Sequence, residues 1–188
     1  MNAPEVTSRS VSVAIPCLLR GGTERQTLAL VSALLSDGWS VSVVAYHEHD
    51  LGMASEFSAA GADVTCLGWP RSVRGVRFVR RLASVLRSQA PEVVHVQYMQ
   101  PGLLPVVAGR VAGVPHVLAT VHHLPPAAAR RARTLLRTAF RLCDRMLFVS
   151  EAARTAWLGA RGDRAGRSAV VHNPVDLAGV DRALASRR

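Results

Sequence analysis

The 188-residue sequence contains no lysine. All 23 basic residues are arginine, set against 13 acidic ones, for a formal charge of +10. Uniform arginine is what codon bias in a GC-rich genome produces, so it is no argument for guanidinium chemistry by itself. The excess of positive charge does point to an anionic partner. Cysteine is scarce: Cys17, Cys66 and Cys143 are odd in number, widely spaced and form no C-x-x-C. Neither a disulfide framework nor a zinc site is indicated, and a reducing compartment fits. Aromatic residues make up only 5%, and none are interleaved with the arginines as a nucleic-acid surface would require. No apolar run approaches the roughly 20 residues of a membrane span. The N-terminus, MNAPEVTSRS, is polar and carries Glu5, so it lacks the apolar core of a signal peptide. A cytoplasmic protein is expected. The dinucleotide fingerprint G-x-G-x-x-G is missing too, although Glu48 and Asp50 follow a strand as potential ribose acceptors.

What is present is an ordered alternation. Hydrophobic residues reach 49%, which reads as a globular α/β protein. Val11, Val13 and Ile15 make a short apolar strand. Gly21-Gly22 break the chain, Thr23 is placed to cap a helix, and Glu24 lies in its first turn, where a carboxylate suits the positive end of the dipole. Leu28, Val31, Leu34 and Leu35 recur at helical spacing, and Gly38 suits a left-handed cap. Residues 41–46 read as a doubly buried strand. A helix over 53–60, a strand over 64–67 and an amphipathic helix over 71–89 follow, the last with Val76, Val79, Leu82, Ala83 and Leu86 inward. Strands over 93–97, 117–121, 146–149 and 168–171 alternate with helices over 101–112, 127–142 and 151–158, Pro101 opening the first of these.

This pattern predicts a single Rossmann-like three-layer α/β/α domain with a mostly parallel sheet of about seven strands and right-handed crossovers. It would occupy residues 11–176, between a disordered stretch at 1–10 and a polar tail at 177–188. Ligands of such sheets bind beyond the carboxyl ends of the strands. Gly21-Gly22, Gln97, His122-His123 and Ser150-Glu151 all fall at such ends.

Five stretches carry a resemblance. GGTERQTLALVSALLSDGWSVSVV resembles the opening of family-4 glycosyltransferases. PEVVHVQ resembles their fourth strand, ATVHH the strand end that presents a functional His, DRMLFVSEAAR the lead into the next helix, and VVHNPVD their N-G-V-D stretch. The chain departs from the pattern at Gln97, where many relatives have His, and at Pro174, where Gly is usual. The resemblance implies the N-terminal, acceptor-side half of a two-domain retaining enzyme. Such an enzyme moves a sugar from a nucleotide-sugar to a hydroxyl or a lipid-linked acceptor. The nucleotide-sugar would be a co-substrate, with no further cofactor. The domain that binds the donor would be missing, so the chain alone would be inactive. The alternative is a non-catalytic binding module, or a truncated remnant, derived from such an enzyme.

By that resemblance His122 would meet hydroxyls of the transferred sugar at the reaction centre; otherwise it is a strand-end His satisfied by backbone. Gly21 and Gly22 either admit a ligand or only form a tight turn. Glu24 and Arg25 either bind acceptor or serve as a first-turn charge and a solvated cation. Gln97, His123, Ser150, Glu151 and Asn173 complete the candidate substrate-binding set. Ser150 is equally an N-cap, and Asn173 equally ends a strand. His47-x-His49 has no third or fourth metal ligand in sight, so no metal is expected. The arginines of helices 71–89 and 127–142 form a solvated face, a peripheral contact for anionic membrane or, least of all, a nucleic-acid surface.

Overall fold

Apolar runs become strands and leucine-spaced runs become helices, in strict alternation. The computed structural model describes residues 9–98, 102–126, 130–159, 163 and 166–174. In chain order these form β1 (Ser10–Ile15), α1 (Gly22–Ser36), β2 (Ser40–Ala45), α2 (Leu51–Ala59), β3 (Asp63–Cys66), α3 (Gly75–Gln89) and β4 (Val93–Tyr98). There follow α4 (Leu103–Ala112), β5 (His116–Val121), α5 (Arg130–Leu142), β6 (Arg145–Phe148), α6 (Glu151–Leu158) and β7 (Ser168–Val170).

The strands form one sheet in the order β3-β2-β1-β4-β5-β6-β7. Every pairing is parallel, with Val13 opposite Val43 on one side and His95 on the other. All carboxyl ends therefore share one rim. Winding runs outward from β1 through β2 to β3, then restarts at β4 and proceeds the other way. Right-handed crossovers turn that reversal into two helical layers. The first core cluster contains Val13, Ile15, Val31, Val43, Met53 and Phe57, so α1 and α2 cover one face. The second contains Ala14, Val44, Phe78, Leu82, Leu86, Val96, Val106, Leu136 and Trp157, so α3 to α6 cover the other. Successive β1 residues feed opposite clusters, as a period of two requires. Each large side chain sealed this way contributes about 2 kcal/mol of burial free energy.

Several boundaries and roles differ from the sequence reading. Helix α1 starts two residues earlier than a Thr23 cap would allow. Gly21 is its N-cap, without a side-chain bond, and Thr23 lies inside the first turn. Gly38 does close α1 in the left-handed region, at φ 81°. Helix α2 begins at Leu51, because the Asp50 carboxylate accepts from Met53 N at 2.8 Å. Helix α3 begins only at Gly75, and Val76 is 74% exposed rather than inward. It sits on the first turn, with its side chain in solvent. Strands β3, β4, β5, β6 and β7 shift by a residue at one or both ends, and Val171 falls just outside β7. Ser10 belongs to β1 and not to a disordered stretch. Pro101, residues 127–129 and the tail from 177 lie outside the described residues. Among the described residues, no helix is long and apolar enough to cross a membrane.

Candidate functional site

The rim of strand ends collects most of the residues singled out from sequence. After β1 the chain forms a loop stitched to the loop after β2. Leu18 N donates to Glu48 O at 3.0 Å, and Asp50 N donates to Leu18 O at 2.7 Å. Glu24, on the first turn of α1, folds back into this loop. It is 3% exposed, and its Oε1 accepts from Leu19 N at 3.3 Å and from Cys17 Sγ at 3.5 Å. Its carboxylate thus closes the β1–α1 turn. Burial, reinforced by that carboxylate, pushes the Cys17 thiol up to about 11, so it offers no thiolate. Arg25 reaches across to α2 and pairs with Glu56 at 2.5 Å. Gly21 and Gly22 sit at the mouth of the turn. A Cβ on Gly21 would strike the Glu24 carboxylate, whereas one on Gly22 would meet open space.

At the ends of β4 and β5 the polar atoms are arranged differently. Gln97 is 1% exposed, and its Oε1 lies 2.7 Å from His122 Nε2. A carbonyl oxygen only accepts, so His122 carries its proton on Nε2 and presents a bare lone pair at Nδ1. His122 Nδ1, Gln97 Nε2 and His123 Nε2 are buried without a hydrogen-bond partner. Buried polar atoms are normally paired, and an orphan near a rim calls for an explanation. Burial first, and then the neighbouring His123, lower the His122 pKa to about 4. The ring is therefore neutral at ordinary pH. One residue pair deeper, His95 Nε2 meets Thr120 Oγ1 at 2.7 Å, and burial holds this imidazole neutral too, at about 4.

The other candidates are engaged locally. His123 packs edge-on against Trp157, and its carbonyl accepts from Trp157 Nε1 at 2.6 Å, which ties it to α6. Ser150 caps α6 by accepting from Ala153 N at 3.1 Å, and Glu151 pairs with Arg154. Asn173 is exposed beyond β7, next to Pro174, whose carbonyl accepts from Gln26 Nε2 at 3.2 Å. That bond brings the segment after β7 back to α1, on the same rim. His47 Nδ1 lies 2.9 Å from Trp69 O, and no group of three metal-ligating side chains occurs among the described residues. Glu48 pairs with Arg71, and Asp50 with its helix cap and Arg20, so neither is free to hold a ribose. The sequence reading found Gln97 and His122 separately. It missed their bond, because pairing across strands depends on register and not on spacing along the chain.

The chain matches no curated protein sequence. Residues 20–178 match the model of Glycosyltransferase Family 4. Its backbone is similar to a glycosyltransferase from Rickettsia africae ESF-5, with a TM-score of 0.68 and 10% identity, covering 96% of this chain and 50% of that one. It is also similar to the lipopolysaccharide outer core galactosyltransferase WaaB, with a TM-score of 0.65 and 16% identity over 88% of this chain and 46% of that one. A third likeness is to Anabaena Alr3699/HepE, solved with UDP and glucose, with a TM-score of 0.64 and 16% identity over 94% and 50%. At these identities the likeness is one of fold. The chain spans about half the length of each of these structures.

Proposed function

This chain belongs to glycosyltransferase family 4, and from that premise we propose that it forms the acceptor side of a retaining transferase. The full reaction moves a sugar from a nucleotide-sugar to a hydroxyl, free or lipid-linked. The observation that carries the reading is the Gln97–His122 pair at the rim, with Nδ1 of a neutral imidazole left unpartnered. An imidazole fixed in this tautomer accepts a hydrogen bond from a sugar hydroxyl, and the unpartnered Gln97 amide can donate beside it. Gln97 is thus a positioning residue and His122 the group that touches substrate. Gly22, with open space about it, leaves room for ligand to approach the first turn of α1.

A second body over the rim completes this reading. Six large hydrophobic side chains are well exposed among the described residues. Five of them, Leu19, Leu51, Val76, Leu124 and Val171, follow strand ends, and only Val111 lies elsewhere. Apolar side chains left bare after strand ends are what a second body over the rim would cover. The donor-binding domain is that partner, and it supplies the electrostatic support of the leaving diphosphate, usually the largest catalytic contribution. The chain alone therefore gives no appreciable transfer. The arginines exposed on α3 and α5, among them Arg77, Arg80 and Arg137, give the outer layer a basic surface suited to peripheral contact with anionic lipid.

The test is reconstitution with a family donor domain, followed by nucleotide-sugar consumption. His122→Ala should lower turnover at least about tenfold, a loss of about 1.4 kcal/mol in transition-state binding, with the fold retained. Because His122 stays neutral down to about 4, the rate should run flat through the ordinary histidine range near 6.5. Unchanged turnover in His122→Ala would remove the imidazole from the site.

A further inference from the structure

A pocket of about 380 Å³ opens past the ends of β1 and β4, at the point where the winding of the sheet reverses. Its walls come from the ends of β1 and β2, the segment before α3, and the start of α4. Pro16 and Tyr46 mark the strand ends, while Gly102 and Pro105 mark α4. None of the sequence motifs points to it, because its parts lie as much as 89 residues apart along the chain, from Pro16 to Pro105. Open α/β sheets hold ligands in this crevice, and the volume falls within the roughly 300–1,000 Å³ of small-molecule sites.

The lining is chemically uneven. Phe78 stands edge-on to Tyr46, with centroids 5.0 Å apart, and edge-on to Trp69 at 5.8 Å, which makes one wall stiff and apolar. Two arginines face it, and their states differ. Arg71 is held by Glu48 through two bonds of 2.8 and 2.7 Å, and this guanidinium keeps the Glu48 carboxyl down at about 2. Its charge is matched. Arg74 donates from Nε to Arg71 O at 2.8 Å, which fixes the fork, and has no carboxylate partner among the described residues. No acidic residue lines the pocket. His47 is oriented by the bond of Nδ1 to Trp69 O. With Nδ1 donating there, Nε2 is the ring nitrogen left for a ligand hydroxyl. Gly102 begins α4 with no side-chain cap, and its dipole adds positive potential at the same end.

We propose that this pocket takes the anionic end of the sugar acceptor, a phosphate or carboxylate carried on a hydroxylated ring. Arg74 pairs with the anion, His47 Nε2 bonds a ring hydroxyl, and the Phe78 wall packs against the ring's C–H face. A free lipid tail is excluded by the small volume and the two polar groups, and a neutral sugar would leave Arg74 unmatched. The assignment rests on the acceptor-side reading above and adds the charge class of the acceptor to it.

The test is a titration of the full isotope-labelled chain with glucose 6-phosphate, glucuronate and glucose, followed by NMR. One or both anions should move the signals of His47, Arg74 and Leu104 at concentrations where glucose does not. Arg74→Gln should weaken that binding about tenfold, as the loss of one charge-assisted pair does. Arg9→Gln, just before β1 on the opposite rim, should leave it unchanged. Both variants should keep the parent spectrum elsewhere, which separates lost binding from lost fold. Equal response to glucose, no response to either anion, or equal effects of the two substitutions would overturn the assignment. Transfer to a neutral acceptor by the reconstituted enzyme, with neither anion bound, sinks the pocket and spares the transferase reading. Anion binding that depends on Arg74, with no transfer to any acceptor, does the reverse.

Discussion

Gly21 and Gly22 stand side by side, and a methyl group on each would meet different surroundings. At Gly21 it would run into the buried Glu24 carboxylate that closes the turn. The backbone there, at φ −121° and ψ 172°, is open to any residue, so the penalty is purely steric. Gly21→Ala should cost about 1–3 kcal/mol in denaturant unfolding, the usual price of overpacking. Gly22→Ala should leave stability within about 0.5 kcal/mol, because nothing is near the added carbon. If it also weakens substrate use in the reconstituted enzyme, the space above Gly22 belongs to ligand. Read as letters, the two glycines are interchangeable. Which of them is structural depends on where the Glu24 side chain turns, and no local pattern states that. His122 is legible as a residue because it ends an apolar strand. Its proton position is not, since Gln97 lies 25 residues away and meets it only through the β4–β5 register.

Among the elements, α4 shows how close packing can hide inside a permissive sequence. Gly109 lies within this helix, where glycine ordinarily costs about 1 kcal/mol relative to alanine. Here a Cβ would come 2.7 Å from Val94 Cγ1 and 3.3 Å from Val117 Cγ2, both on the sheet below. The glycine lets α4 settle onto β4 and β5, which in turn seats its first turn at the pocket. Gly109→Ala should therefore lower the melting temperature, against the propensity scale, by about 1–3 kcal/mol of stability. A neutral or stabilising result would mean that the helix rides higher than described. The strand and helix alternation was readable because both periods are strong and the turns carry glycine or proline. Element ends were less so. Val76 fits the apolar stripe of α3, yet the helix starts only at Gly75, and on that first turn Phe78 turns inward while Val76 stays exposed. Thr23 has the right chemistry for a cap, but the Glu24 fold-back fixes the start of α1 two residues earlier, at Gly21.

For the whole molecule, the imidazoles sealed between the layers set an acid limit. His95 is held neutral by burial to about 4, against an ordinary value of 6.5. Between those two pH values the unfolded chain takes up a proton that the native one refuses, so stability rises with pH across the window and is lost as pH falls through it. The difference corresponds to on the order of 3 kcal/mol for His95, and His122 adds an effect of the same sign. Chemical denaturation at pH 7.5 and pH 4.5 should show the loss, and His95→Gln should flatten it. A pH-independent midpoint would mean that water reaches these rings. The bond from Gln26 to Pro174 has a separate consequence. At Pro174 the backbone stands beside α1 and not at the outer margin under β7. Any polypeptide continuing from that point starts on a short leash from α1, at a high local concentration near the strand ends without any affinity of its own.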